Sequence, residues 1–443
     1  MPIRISILSL GCARNLVDSE VMLGILKSAG YKIADGFDGA DVAIINTCSF
    51  IDDAKRESID AILDVIELKN KKRIRKILVT GCLPQRYKER LKIELKEIDG
   101  FIGVNGFERL PQIIKALMEG ESITDIRPVP KYLYDDRTPR ILLTPRHYAY
   151  VKISEGCSHK CSFCVIPKLR GPHRSRRIDS VLKEMEDLVA GGAREINLIG
   201  QDTTLYGMDL YKRIALTELL KGLVRIKKIK WIRLLYAHPA HFTDDLIEVI
   251  KGEPAICKYV DLPIQHINDG ILKLMKRGTS KGLILKLLKK LRTKIPELVI
   301  RTSIIVGFPG ETEARFKELV KFIKDTKFER LGAFIYSREE GSPAYNFPNQ
   351  ISEKEKRSRW NEIMKVQQEI SSENNSKLME RELEVIIDEK DESDPNLYLG
   401  RSYMDAPEVD GIVYVRGSNL KVGNFVRTKI IDTYEYDLVS EVL

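Results

Sequence analysis

The sequence predicts an α/β protein of three units joined in line, and three observations predict it. Over residues 1–119, and again from Tyr148 to Tyr336, short apolar runs alternate with amphipathic helical stretches, the pattern of parallel β-α repeats. After residue 382 the helical period gives way to short alternating strands separated by glycines. Six of the seven cysteines fall just past expected strand ends or within one short loop. The expected layout is a parallel-sheet α/β domain at 1–119, a linker at 120–145, a partial TIM-like barrel at 146–375 and a small OB-like β-barrel at 376–443.

In the first unit, strands are expected at Ile3–Leu10, Val42–Ile45, Ile77–Thr80 and near Phe101–Val104. A helix is expected over Leu16–Ala29, ended by Gly30, where a left-handed cap is easily formed. Pro84 suits the first turn of the helix after the third strand. Pro128, Pro130, Pro139 and Pro145 mark the linker. The second unit reads as a strand at Tyr148–Ser154, a helix at Ser180–Ala190 and strands at Glu195–Ile199, Trp231–Leu235, Tyr259–Pro263, Val299–Val306 and Leu331–Tyr336. About six β/α repeats of this kind place chemistry at the carboxyl ends of the strands. Ser352–Arg381 reads as a charged connecting helix, and four short strands follow it, at Glu384–Ile387, Leu397–Leu399, Ile412–Val415 and Phe425–Ile431.

At 443 residues the chain can bury two or three cores. No apolar stretch approaches the roughly 18 residues of a membrane span, and the N-terminus has no signal-peptide cleavage pattern. An odd cysteine count in a long charged chain suits a reducing compartment and metal ligation, so the cytoplasm and no membrane partner are expected. The net charge of +9 is uneven: residues 1–136 are neutral, 137–375 carry +16 and 376–443 carry −7. The basic middle suits an anionic partner such as RNA, and the acidic tail a basic one; ordinary solvated surface is the plainer reading of both.

The run Cys157-Ser-His-Lys-Cys161-Ser-Phe-Cys164 carries the most chemistry. Three thiolates from one loop can hold three irons of a four-iron cube and leave the fourth without a protein ligand. The competing readings are a stray cysteine-rich loop or half of a zinc site, which wants a closed shell of four ligands. Cys12, Cys48 and Cys82 each follow an expected strand of one parallel sheet, where ligands gather, so they are expected to converge as a second open triad. Any one of them alone would be a small buried hydrophobe, which is how Cys257 reads.

With Phe163 before its last cysteine, the loop resembles that of the radical S-adenosylmethionine (SAM) enzymes. The resemblance implies that the open iron chelates the methionine amino and carboxylate groups, and that cleavage of the sulfonium bond releases a 5′-deoxyadenosyl radical. With the second triad and the tail barrel added, the whole chain resembles the methylthiotransferases, whose units are an N-terminal cluster domain, a radical SAM barrel and a TRAM domain. In that family one cluster generates the radical, and the other presents a sulfur that is methylated by one SAM and joined to a carbon activated by a second. The cofactors implied are two [4Fe–4S] clusters and SAM.

Two branches of the family exist. The tRNA adenosine branch typically shows Ala-Val-Arg after its second cysteine, whereas this chain reads Asn46-Thr-Cys-Ser-Phe-Ile-Asp-Asp-Ala54. That run resembles the branch acting on the β-carbon of an aspartate in the small-subunit ribosomal protein twelve. Asn15-Leu-Val-Asp-Ser-Glu20, Arg170-Gly-Pro-His-Arg-Ser-Arg176, Gln201-Asp-Thr-Thr-Leu-Tyr-Gly207 and the acidic run Gly400–Gly411 agree with it. An acidic tail also suits a basic ribosomal protein better than a phosphate backbone. The partners implied are that protein, a sulfur donor and a low-potential electron donor such as flavodoxin, with the enzyme a monomer. The rival readings are tRNA methylthiolation and an RNA- or ribosome-binding module whose clusters are structural or redox-sensing.

The resemblance places SAM contacts at Phe163 and at Gly191-Gly192, where Ala193 replaces the glutamate of the superfamily's Gly-Gly-Glu run. Gln201 and Asp202 end a strand and can reach ribose hydroxyls. Arg301 lies on the strand leading to Gly307, where a glycine lets the backbone approach a flat base. The plain alternatives are helix-capping polar residues and turn glycines. His266 reads as a hydrogen-bonded scaffold histidine, and Asp18 and Glu20 as acids of a helix's first turn. No phosphate-binding loop or Ser-His-Asp arrangement is present.

Overall fold

The computed structural model describes residues 2–443. The first unit is a fully parallel sheet of β1 (Arg4–Ser9), β2 (Lys32–Ile33), β3 (Val42–Thr47), β4 (Lys76–Gly81), β5 (Gly100–Ile102) and β6 (Ile123–Asp125), in the order β2-β1-β3-β4-β5-β6. The two-residue period of β3 sorts its side chains onto two buried faces. Val42 and Ile44 meet the helices Ala13–Ser28 and Leu110–Met118 through Val17, Met22, Leu26 and Ile114. Ala43 and Ile45 meet the helices Asp52–Asn70 and Cys82–Glu94 through Ile62, Ile66, Leu83 and Leu91. β6 lies in the stretch expected to be linker. The first of the linker prolines, Pro128, comes after it, so Ile123 is free to pair with Gly100.

The central unit contains β7 (Tyr148–Lys152), β8 (Ser154–Glu155), β9 (Arg174–Ser175), β10 (Glu195–Ile199), β11 (Trp231–Leu234), β12 (Ile256–Asp261), β13 (Val299–Val306) and β14 (Arg330–Ile335). β8 and β9 form a small antiparallel pair, and the other six make one parallel sheet in the order β14-β13-β12-β11-β10-β7. Its outer face, with Val151, Leu198, Ile232, Val260 and Ile300, is covered by helices. The helix Glu353–Ser376 is more than a connector. It lays Ile363, Val366 and Ile370 into that same core, and Trp360 Nε1 donates to the Ala333 carbonyl at 2.8 Å, which covers the β14 edge.

The tail is a closed barrel of β15 (Glu382–Lys390), β16 (Leu397–Ser402), β17 (Val413–Arg416), β18 (Phe425–Thr433) and β19 (Leu438–Val442). β19, absent from the four expected strands, is the one that closes it by pairing with both β17 and β18.

The inner face of the central sheet is filled from within the chain. Tyr148, Tyr150, Trp231, Cys257 and Tyr259 share one apolar core with residues of both flanking units. Tail acids lock onto barrel cations there: Asp405 with Arg330 at 2.7 Å and Asp410 with Arg301 at 3.3 Å. Arg401 of the tail returns the contact, binding Glu195 of β10 and Asp388 of β15, each at 2.7 Å. Part of the opposite charge of tail and middle is therefore spent internally. Arg401→Ala leaves Glu195 and Asp388 short of a buried partner, and breaking such a pair costs about 3–5 kcal/mol. Calorimetry should show a clear fall in the unfolding temperature, whereas Lys183→Ala, which loses only exposed pairs with Asp187 and Glu186, should show almost none.

Candidate functional site: two thiol triads at one barrel mouth

β1, β3 and β4 are neighbours, and their pairing brings Ser9 beside Asn46 and Thr47 beside Gly81, so the three chains leave the sheet together. Cys12 precedes the helix Ala13–Ser28, Cys48 follows β3, and Cys82 opens the helix Cys82–Glu94. Two glycines permit the approach. A Cβ on Gly11 (φ +92°) would stand 2.7 Å from the Cys48 Cβ, and one on Gly81 (φ +98°) 2.5 Å from the Thr47 carbonyl. Asn15 Nδ2 donates to the Leu10 and Thr47 carbonyls, and Asn46 Nδ2 returns a bond to the Asn15 carbonyl at 2.8 Å. The motif residues around the cysteines thus stitch the three loops to one another.

Burial pushes the Cys48 thiol up to about 12, with Cys82 and Cys12 adding to it, so the three sulfurs lie close enough to repel as thiolates. Cys82 is also raised, chiefly by burial. For Cys12, burial is outweighed by the Arg14 and Arg170 guanidiniums, and its thiol is held below the usual value. Cys48 and Cys82 are neutral as thiols, and a bound metal cation would favour the thiolates that ligate it.

The second triad hangs from β8. Gly156 (φ +80°) lets the loop close, since a Cβ there would meet the Pro172 carbonyl at 2.2 Å. Ser162 pins the loop, accepting from Ala344 N and donating through N and Oγ to the Met275 and Leu274 carbonyls. Cys161 Sγ accepts from Arg277 Nη1 at 3.8 Å, and Cys164 Sγ from Ile166 N at 3.4 Å. Burial, with mutual repulsion behind it, pushes Cys157 up to about 11 and Cys164 to about 12. Among the described residues, the one group of three or more His, Cys, Asp or Glu side chains whose ligand atoms approach within 4.8 Å contains no cysteine. Neither triad is therefore drawn in to the sulfur spacing of about 3.8 Å that a single tetrahedral zinc imposes. A larger, multi-iron group suits both.

The N-terminal domain sits over the carboxyl ends of the barrel strands. Arg14 donates to the Gly200 carbonyl at 2.8 Å and lies 4.3 Å over the Tyr236 ring. Arg86 and Lys55 bind Glu339, beyond β14, at 2.7 and 3.0 Å. Between the triads stands Arg170. It bonds Asp18 at 2.9 Å, Glu155 at 3.2 Å and Asn15 Oδ1 at 2.5 Å, and its Nη2 reaches Cys82 Sγ at 3.7 Å. Lys152 completes the network against Asp18 and Glu155. Cys82 also shares an apolar cluster with Val165 and Leu169, so the two cysteine loops are neighbours. Asp18 and Glu20 are thus interdomain partners rather than first-turn acids; Glu20 binds Arg140 of the linker at 2.5 Å. The sequence signal for this network was a lysine inside the apolar strand Tyr-Ala-Tyr-Val-Lys152.

Several expected SAM contacts gather at this mouth. Phe163 packs with Met275, Phe308 and Tyr336 beside the second triad. Gln201 Nε2 donates to Glu155 at 2.8 Å while its buried Oε1 has no partner, and Ser154 Oγ and the Asn197 amide are likewise buried and unpaired. Unpaired polar atoms at strand ends suit a polar cofactor. Asp202 faces His159 at 2.6 Å and His241 at 2.9 Å. One expectation is corrected. Gly191 and Gly192 close the helix Ile178–Ala190 and precede β10, so the whole strand, roughly 16 Å at about 3.3 Å per residue, separates them from the mouth. A Cβ on Gly307 (φ +72°) would stand 2.3 Å from Lys356 Cγ, so this turn takes glycine. Arg301 is held by Asp261 at 2.9 Å and by Asp410 of the tail. His266 is a buried scaffold residue bonded to Glu311 at 3.1 Å, and Cys257 lies in the shared core.

Family models match along the chain: the radical SAM superfamily at 151–323, an uncharacterized protein family, UPF0004, at 4–103, and the TRAM domain at 381–443. Among curated relatives, the ribosomal protein uS12 methylthiotransferase RimO of Citrifermentans bemidjiense is 48% identical over 99% of this chain and 98% of its own length. The proteins of the same name from Clostridioides difficile and Caldicellulosiruptor saccharolyticus are 48% and 47% identical, covering 99% and 100% of their lengths. Among solved structures, the radical SAM methyltransferase TsrM of Kitasatospora setae superposes with a TM-score of 0.57 at 16% identity, over 78% of this chain and 77% of that one. The cobalamin-dependent radical SAM enzyme OxsB gives 0.51 at 13% identity, over 82% and 56%. With near-complete coverage, both thiol triads and the tail barrel in place, the chain belongs to the ribosomal protein uS12 methylthiotransferase family of radical SAM enzymes.

Proposed function

We propose that the chain adds a methylthio group to the β-carbon of an aspartate in the small-subunit ribosomal protein uS12, acting in the cytoplasm as a monomer supplied by a sulfur donor and a flavodoxin-class electron donor. The observation that carries this is the pairing of two three-thiol triads at one covered mouth. Cys157, Cys161 and Cys164 would hold one [4Fe–4S] cluster, and Cys12, Cys48 and Cys82 the other. SAM at these clusters supplies a carbon-centred radical and, from a second molecule, the methyl group. The protein's own contribution is positional. Arg277 and Arg170 donate to one ligand sulfur in each triad, the N-terminal domain covers the strand ends, and Gln201 and Ser154 offer unpaired polar atoms to SAM. The tail's acidic run is largely engaged on the central barrel.

Anaerobic, reconstituted enzyme with SAM and dithionite should release 5′-deoxyadenosine and shift the mass of uS12. A methylthio gain on anticodon-loop tRNA alone would overturn the substrate assignment. Cys161→Ala should abolish SAM cleavage yet keep about four irons per chain; Cys48→Ala should still release 5′-deoxyadenosine but transfer no sulfur. Loss of all iron from both variants would contradict two independent sites. Arg170→Gln removes positive charge and a donor from Cys82, so redox-titrated EPR should show a lower midpoint potential for the N-terminal cluster.

A further inference from the structure

Three of the chain's six histidines meet one carboxylate beside the second triad. His159 comes from the cysteine loop itself, Asp202 from just past β10, and His238 and His241 from the turn after β11. One ligand atom from each of the four lies within 4.8 Å of all the others. We propose that His159, Asp202, His238 and His241 form a binding site for a zinc-type divalent cation, separate from both thiol triads.

Four features carry it. Asp202 is 1% exposed and, among the described residues, forms no ion pair with any lysine or arginine; its Oδ2 faces only His159 Nε2 at 2.6 Å and His241 Nδ1 at 2.9 Å. A buried carboxylate without a fixed cation is costly, and a metal ion supplies the missing charge. His238 is 3% exposed and its Nε2 has no partner. The other oxygen of Asp202, Oδ1, is already fixed by Thr204 Oγ1 at 2.6 Å and Leu205 N at 3.2 Å, an outer shell that aims Oδ2 at the imidazoles. Three imidazoles and one carboxylate match zinc's preferred nitrogen and oxygen donors, while calcium and magnesium favour oxygen alone.

Coordination through His238 Nε2 places the ring proton on Nδ1, so the 3.2 Å contact from Ala240 N is given up. Pulling the four atoms to bonding distance ties the cysteine loop to the rims of β10 and β11. The ion is structural and holds the loop that carries Cys157 and Cys161. Asp202 is then a metal ligand, and its expected contact with SAM ribose is replaced.

The test uses full-length enzyme reconstituted with iron and sulfide, dialysed against equimolar zinc chloride and measured for both metals. About one zinc per chain should accompany the iron, with an X-ray absorption shell of nitrogen and oxygen at about 2.0–2.1 Å. His241→Ala and His238→Ala should each lower zinc occupancy at least tenfold and leave the iron content unchanged; circular dichroism confirms that each variant is folded. Absence of zinc from the wild type, zinc kept by both folded variants, or a sulfur shell at about 2.3 Å would each overturn the proposal.

Discussion

Arg170 is the charge on which the arrangement of this molecule turns. A guanidinium 2% exposed is tolerable only where anions surround it, and this one has Asp18 from the N-terminal domain and Glu155 from the barrel. Those two acids belong to different domains, so neither domain alone can satisfy the arginine. Docking the N-terminal sheet over the barrel mouth is what completes the shell. The same docking sets Cys82 against the barrel's cysteine loop, because Arg170 follows Val165 and Leu169, which share an apolar cluster with it. Domain association and proximity of the two metal centres are therefore one structural event.

The opposite side of the barrel is closed by similar means. Tyr148, Tyr150 and Tyr259 turn inward, and their hydroxyls meet Glu408, the Pro407 carbonyl and Asp410 of the tail at 3.0, 3.1 and 2.7 Å. With Arg330 on Asp405, an incomplete six-stranded sheet is plugged by the tail on its inner face, where a closed eight-stranded barrel would be filled by its own side chains. This explains why an open sheet with polar inward residues is stable, and why the acidic run 400–411 is not a free electrostatic surface.

The cysteines were legible in the sequence because a topological rule translates strand ends into spatial neighbours, and each lay within a few residues of a recognisable apolar run. The glycine pair was misplaced for a related reason: a glycine pair ending a helix and one ending a strand look alike in letters, and only the strand's direction separates Gly192 from Gly200 by the depth of the barrel. Arg301, with its partner Asp410 in another unit, gave no local sign of being already bound. Nor did Asp18, whose helical position is ordinary until Lys152 and Arg170 are placed beside it. β19 escaped because Leu438-Val-Ser-Glu-Val442 shows no clean apolar–polar alternation, and only closure of the tail barrel demands it.

The residues around the mouth also divide by whether their polar atoms are spoken for. Glu155, Asp18 and Arg301 are ion-paired within the chain and act as scaffold. Ser154, Asn197, Gln201 and His238 keep buried polar atoms unpaired, as do Asn105, His173 and Thr279. Each such atom would cost about 1–3 kcal/mol if it stayed so. The unpaired atoms of Ser154, Gln201 and His238 lie just past β7, β10 and β11, so part of the free energy that bound groups can recover lies where both thiol triads open. Binding of cofactor and metal at this rim therefore completes the fold as much as it equips the enzyme.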